Sequence, residues 1–211
     1  MSDFSEFNRL DLSNQYLGDE GVKEKLAQAL KNNSAITELF LSKNNIGPKG
    51  AKAIAEVLKD NIGVKILMLG VNNIGDEGAK AIAEALKYNT FLSITALDLS
   101  KNNIGHEGAK AIAEAVKNNI DIGELFLSLN NIGELFLSLN NIGELFLSLN
   151  NIGELFLSLN NIGELFLSLN NIGELFLSLN NIGELFLSLN NIGDEGAKAV
   201  ASASKYNSNI V

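Results

Sequence analysis

The side chains that could do chemistry in this chain are either solitary or monotonously repeated. His106 is the only histidine and there is no cysteine, so neither a metal-site spacing nor a thiolate nucleophile can be assembled. His106 stands where Asp76 and Asp194 stand ahead of other helix signals, and reads as a solvated side chain near a helix start. Ser42, Ser100 and Ser128 recur on strand-like segments with no base placed to activate them. The column Glu124 to Glu184 could form a carboxylate row. Stacked about 5–10 Å apart, such like charges are an electrostatic cost rather than a calcium cage, which needs several convergent oxygens. Gly47-Pro-Lys-Gly50 and Gly75-Asp-Glu-Gly78 lack the spacing of a phosphate loop, and the acids beside them repel phosphate. Asn32-Asn33-Ser34 matches a glycosylation sequon, but no secretion signal accompanies it. No catalytic residue, metal or cofactor is expected.

Charge and hydropathy narrow the partners. The net charge of −9 argues against binding a phosphate backbone, which needs a basic patch. No uninterrupted apolar run approaches the roughly 18 residues of a membrane span. These features, with the absence of cysteine, favour a cytoplasmic protein whose partner is neither nucleic acid nor membrane.

The elements that must position any site are set by internal repeats. Ile36-Thr-Glu-Leu-Phe-Leu-Ser-Lys-Asn-Asn-Ile-Gly47 aligns with segments starting at Val64 and Ile94, giving periods of 28 and 30 residues. Each copy leads into a Gly-Ala-Lys-Ala-Ile-Ala-Glu helix signal, at Gly50, Gly78 and Gly108. Leu39 and Leu41 alternate with Phe40 and Ser42, so one strand face is apolar. Ala51, Ile54, Ala55 and Leu58 form one apolar helix stripe. The acids Asp19-Glu20, Asp76-Glu77 and Asp194-Glu195 suit helix N-termini, and Pro48 suits a first helical turn. Asn44, Asn72 and Asn102 are placed to bond main-chain groups of adjacent turns as a ladder, which Gln15 weakens in the degenerate first copy.

This pattern resembles the leucine-rich repeat family, in particular its long ribonuclease-inhibitor-like repeats. The family pattern L-x-x-L-x-L-x-x-N-x-L is filled by Ile36, Leu39, Leu41, Asn44 and Ile46, and again by Ile94, Leu97, Leu99, Asn102 and Ile104. The resemblance implies a right-handed α/β solenoid with parallel strands on a concave face, helices on the convex face, and a protein ligand.

From Glu124 to Gly193 the chain departs from that pattern. Seven unsubstituted copies of Glu-Leu-Phe-Leu-Ser-Leu-Asn-Asn-Ile-Gly follow one another, each a strand and corner like Glu38–Gly47 with Lys43 changed to Leu; the first six have no helix, and the last runs into the helix signal at Gly196. Ten extended residues trace only about 33 Å, too little for one coil containing a strand and a return. Two decads per coil, about 66 Å, accommodate two strands and two corners. Three per coil and an antiparallel meander are alternatives; two is favoured because it buries every Leu with the shortest closure. Leu125, Leu127 and Leu129 would then point inward, and Phe126 and Ser128 outward. Phe126, Phe146, Phe166 and Phe186 would stack on one face, with Phe136, Phe156 and Phe176 opposite. The expected organisation is a single solenoid over 1–211: helical repeats in 1–121, the helix-less all-β array in 122–193, and a final helix and C-terminus in 194–211.

The remaining function is recognition. By position in the family, the outward strand residues contact the ligand: Asp11, Glu38, Phe40, Lys43, Met68, Val71, Asp98, Lys101 and Phe126. The leading expectation is a non-enzymatic interaction scaffold binding a protein partner on its concave strand face. The alternative is a structural or self-associating solenoid in which the decapeptide array has no specific ligand, any self-association running through that array.

Overall fold

The computed structural model describes residues 8–30, 35–89, 94–117, 122–138, 141–150, 152, 154–158, 161–168, 170, 172, 174–178, 181–190 and 192–204. The sequon at Asn32–Ser34 and the array leucines 139, 159, 169 and 179 lie outside these residues. The chain opens with alternating short strands and helices: β1 (Arg9–Asp11), α1 (Gly18–Ala29), β2 (Glu38–Phe40), α2 (Pro48–Asp60), β3 (Ile66–Met68), α3 (Gly75–Tyr88), β4 (Ala96–Asp98) and α4 (His106–Val116). The array follows as β5 (Glu124–Phe126), β6 (Glu134–Ser138), β7 (Asn141–Phe146), β8 (Glu154–Ser158), β9 (Asn161–Phe166), β10 (Glu174–Ser178) and β11 (Asn181–Phe186). Helix α5 (Gly193–Ser204) comes last among the described elements.

All strand pairs are parallel and in register. One eight-stranded sheet runs β1-β2-β3-β4-β5-β7-β9-β11, and a second runs β10-β8-β6. Leu39, Leu41, Leu67, Leu69, Leu97 and Leu99 are fully buried from the strand side, and Ala51, Ile54, Ala55 and Leu58 meet them from the helix side. Small alanines let each helix lie close to the sheet, as the apolar stripe requires.

In the array, strands pair at an interval of 20 residues: Glu124 with Glu144, and Glu134 with Glu154. Two decads therefore make one coil, in place of three or of a meander. Decads starting at Glu124, Glu144, Glu164 and Glu184 extend the eight-stranded sheet. Those starting at Glu134, Glu154 and Glu174 form the second sheet, on the side that helices occupy in the long repeats. Its two edge strands meet helices, β6 against α4 and β10 against α5. Covered edges present no free ladder to another chain.

The asparagine ladder runs through both regions. Asn72 Oδ1 accepts from the amides of Asn44 (2.9 Å) and Ile46 (3.0 Å), while its Nδ2 donates to the carbonyls of Leu41 (3.1 Å) and Leu69 (2.8 Å). Asn150 repeats this in the array, accepting from Asn130 N (3.0 Å) and donating to Leu127 O (3.0 Å) and Leu147 O (2.9 Å). Each amide thus ties two neighbouring coils. Gln15 takes no such part: its side chain is exposed, and only its backbone N–H joins, donating to Asn44 Oδ1.

One expectation needs correction. Leu129 does not point inward; it is 48% exposed with φ +60°, and Leu149 and Leu189 behave alike. The strand ends at Phe126, and the chain turns left-handed at this position as it does at Lys43, Val71 and Lys101. The core of these coils is supplied by Leu125, Leu127 and Ile132, with Leu135 and Leu137 from the facing sheet. Asp19 and Asp76 lie in the first turns of α1 and α3, as their sequence position suggests, and their carboxylates also reach the next repeat. Asp19 Oδ1 accepts from Gly47 N (2.7 Å) and Gly50 N (2.8 Å) at the start of α2, and Asp76 Oδ1 from Gly105 N (2.7 Å) and Gly108 N (3.0 Å) at the start of α4. Each acid satisfies orphan amides of the next repeat, so capping here is also an inter-repeat bond.

Candidate interaction face

The outward residues of the eight-stranded sheet form columns because every pair is in register. One column reads Asp11, Phe40, Met68, Asp98, Phe126, Phe146, Phe166 and Phe186. Two residues earlier on the same face lie Arg9, Glu38, Ile66, Ala96, Glu124, Glu144, Glu164 and Glu184. Asp11, Glu38, Phe40, Met68, Asp98 and Phe126 are therefore brought onto one surface, each at least partly exposed. Lys43, Val71 and Lys101 are not on the strands. They occupy the left-handed corner beyond them, at φ +58°, +59° and +53°, and make a separate row along one margin.

Arg9, which sequence reasoning passed over, organises the first repeats. Its guanidinium lies 4.0 Å from the centre of the Phe40 ring and 3.0 Å from Asp11 Oδ2. Its signal was its place two residues before Asp11, on the same strand face. Asp11 also accepts from Ser13 N at 3.0 Å. That amide bond, and secondarily Arg9, holds the Asp11 carboxyl below its ordinary range. Asp98 makes the same tight turn with Ser100, accepting from its amide (2.8 Å) and its hydroxyl (2.6 Å). The Ser100 hydroxyl is thus held by a turn carboxylate.

In the array the phenylalanines stack with centroids 4.4–4.6 Å apart and planes within 8° on both sheets. The Glu rows beside them make no ion pair among the described residues, whereas the helices of neighbouring long repeats are bridged by Lys87–Glu114 (3.0 Å) and Lys80–Glu107 (3.6 Å). Glu114 titrates below its ordinary range because Lys87 bonds it.

Other candidates for chemistry stay apart. His106 is exposed at the start of α4, its Nε2 3.5 Å from Glu107 Oε1. A recess of about 300 Å³ lies between α1 and α2, far from the strand face, lined by acids and lysines including Asp19, Lys23, Lys49 and Glu56. Among the described residues no three His, Cys, Asp or Glu side chains are grouped to hold a metal ion, and no helix is long and apolar enough to cross a membrane.

The family model described as Leucine Rich repeat matches residues 32–55, 63–83, 92–113 and 180–201, so leucine-rich repeats are present over part of the chain. The last match spans β11 and α5, where the array regains a helix. No curated protein matches the sequence. Among solved structures, the fold is similar to Leiomodin-1 Actin-Binding Site 2, at 24% identity and a TM-score of 0.51, over 59% of this chain and 72% of that one. It is also similar to the tropomodulin C-terminal domain of Caenorhabditis elegans, at 16% identity and a TM-score of 0.50, over 60% of this chain and 76% of that one. At these identities the likeness is one of fold.

Proposed function

We propose that the chain is a non-enzymatic scaffold, a single solenoid over 1–211 built on ribonuclease-inhibitor-like long repeats, that binds a protein partner on its concave strand face in the cytoplasm. The observation carrying this reading is the in-register column from Asp11 through Phe40, Met68 and Asp98 to Phe126, which sets apolar anchors between charged neighbours on one sheet surface. Aromatic and methionine side chains in such a setting are typical interface anchors. Lys43, Val71 and Lys101 form the margin of the surface, and Glu38 its second column. The name of Leiomodin-1 Actin-Binding Site 2 makes actin the first partner to test. Co-sedimentation with filaments, and a binding isotherm with monomeric actin, should show binding that Phe40→Glu with Met68→Glu weakens at least about tenfold. Equal binding by the folded double variant would remove the concave face from the interaction. Absence of binding to either form would exclude actin.

A second reading, self-association without a specific ligand, is favoured by the corner row Leu129, Leu149 and Leu189, of which Leu189 is 77% exposed. Light scattering that rises with concentration, and no longer does so after Glu124–Gly183 are deleted, supports it. A monomer at all concentrations would eliminate it.

A further inference from the structure

We propose that the channel between the Glu124–Glu144–Glu164–Glu184 row and the Phe126–Phe146–Phe166–Phe186 ladder binds rod-like, planar aromatic cations lying along the solenoid axis. The two rows project from the same sheet face at positions i and i+2, about 6.6 Å apart. Because every strand is in register, the channel between them is straight and chemically uniform across four strands. Its apolar wall is continuous: successive rings are 4.4, 4.5 and 4.6 Å apart, with planes within 8°. Each ring's faces are largely taken up by its neighbours, so the ladder presents ring edges as a ridge, against which a flat hydrophobic body can lie.

The opposite wall is a row of carboxylates with no ion pair among the described residues, stacked at the strand spacing and repelling one another. A delocalised cation relieves that repulsion while giving up little hydration. A neutral ligand gains only the apolar contact, and an anion is repelled. On the other side of the ladder the row is Ser128, Ser148, Ser168 and Ser188, which offers no charge, so the Glu side is the binding side. The second sheet repeats the arrangement with three strands in place of four, making a shorter and weaker channel.

This site lies on the face proposed above for protein binding but goes beyond that reading. It needs no partner protein, so its failure and the failure of partner binding are separately visible. The test uses the full chain and thioflavin T, a planar cation, with its uncharged benzothiazole analogue as control. Fluorescence and equilibrium dialysis are read on the fraction that sediments as monomer. The expected result is binding by the monomer, about tenfold tighter for the cation than for the neutral analogue at low salt, with the difference shrinking as salt rises. Glu144→Gln with Glu164→Gln should remove most of that difference, while Glu154→Gln, on the other sheet, should leave most of it. Helical circular dichroism checks that each variant is folded, and the salt titration of the unaltered chain stands without them. Dye response confined to a sedimentable fraction, equal affinity for cation and neutral analogue, or greater loss with Glu154→Gln would overturn the proposal.

Discussion

The same ten residues stand at Glu144–Gly153 and at Glu154–Gly163, and they fold differently. In the first, the strand ends at Phe146, Leu149 turns left-handed at φ +59°, and Asn150 is buried with bonds to two coils. In the second, strand β8 continues to Ser158, and strand β9 includes Asn161. Nothing local distinguishes the two copies. The difference lies in what each stacks on: one continues the sheet begun by β1 to β4, the other takes the place of a helix beside α4 and α5. Neighbour contacts between repeats therefore choose the conformation over a neutral local sequence, as expected where stability is a sum of repeat and interface terms.

The largest effect should come from changing the coil count. Removing Glu124–Gly183 takes away three whole coils and joins Gly123 to Glu184, so a cooperative, helical protein of lower stability is expected. Removing only Glu144–Gly153 leaves half a coil and puts α5 on the wrong side; loss of cooperative thermal unfolding, followed by circular dichroism, is the expected outcome. Equal behaviour of the two deletions would mean that the decads are interchangeable after all.

Single-residue changes probe the two conformations. Asn150→Ala leaves the Leu127 and Leu147 carbonyls and the Asn130 amide without their side-chain partner, and should cost about 1–3 kcal/mol in denaturant unfolding. The glycines that end the decads divide likewise. A Cβ at Gly163 would lie 2.6 Å from the Gly143 carbonyl oxygen, whereas one at Gly133 meets nothing within 4 Å. Gly163→Ala should therefore cost about 1–3 kcal/mol and Gly133→Ala almost nothing, a contrast that chemical denaturation resolves. Leu149→Asn suits the left-handed corner and removes exposed apolar surface; a gain of about 1 kcal/mol or less is expected, with reduced light scattering.

Much of this architecture could be read from residues alone. The alternation around Leu39 and Leu41, the stripe Ala51–Ile54–Ala55–Leu58 and the asparagines after each strand specify a strand, a helix and a tie between coils. Length geometry excluded one decad per coil; two was favoured for burying every Leu with the shortest closure, and the pairing of Glu124 with Glu144 bears out the period although Leu129 is exposed. What stayed hidden were relations between repeats. Asp19 reads as a carboxylate at the start of its own helix, yet its amide partners lie at Gly47 and Gly50, and no spacing within one repeat points there. Leu129 reads as core by residue type, although its alignment with Lys43 and Lys101 marks a solvent-facing corner. Of the face residues, Phe40 was legible as outward from period-two alternation, and the others were named by their position in the family pattern. Lys43, Val71 and Lys101 were named in the same way as strand residues, but a left-handed turn breaks the period and takes them off the strands.

The smallest effect concerns Asp11. Its carboxyl, held below the ordinary value of 3.8, contributes stability that is present above that value and lost as pH falls through the lowered folded-state value. Arg9→Ala should raise the Asp11 titration only part of the way, because the Ser13 amide bond is the larger cause; a carbon-13 titration of the carboxyl would read it.

The coil period is tested most directly by paired nitroxide labels, which the absence of cysteine makes straightforward to place. Leu149 N donates to Ser168 O at 3.1 Å, so labels at positions 148 and 168 sit on adjacent coils of one sheet. Strong spin-exchange broadening is expected for that pair, and none for 148 with 158, which belong to opposite sheets, or for 148 with 178. Broadening of the 148/158 or 148/178 pair, with none at 148/168, would contradict two decads per coil.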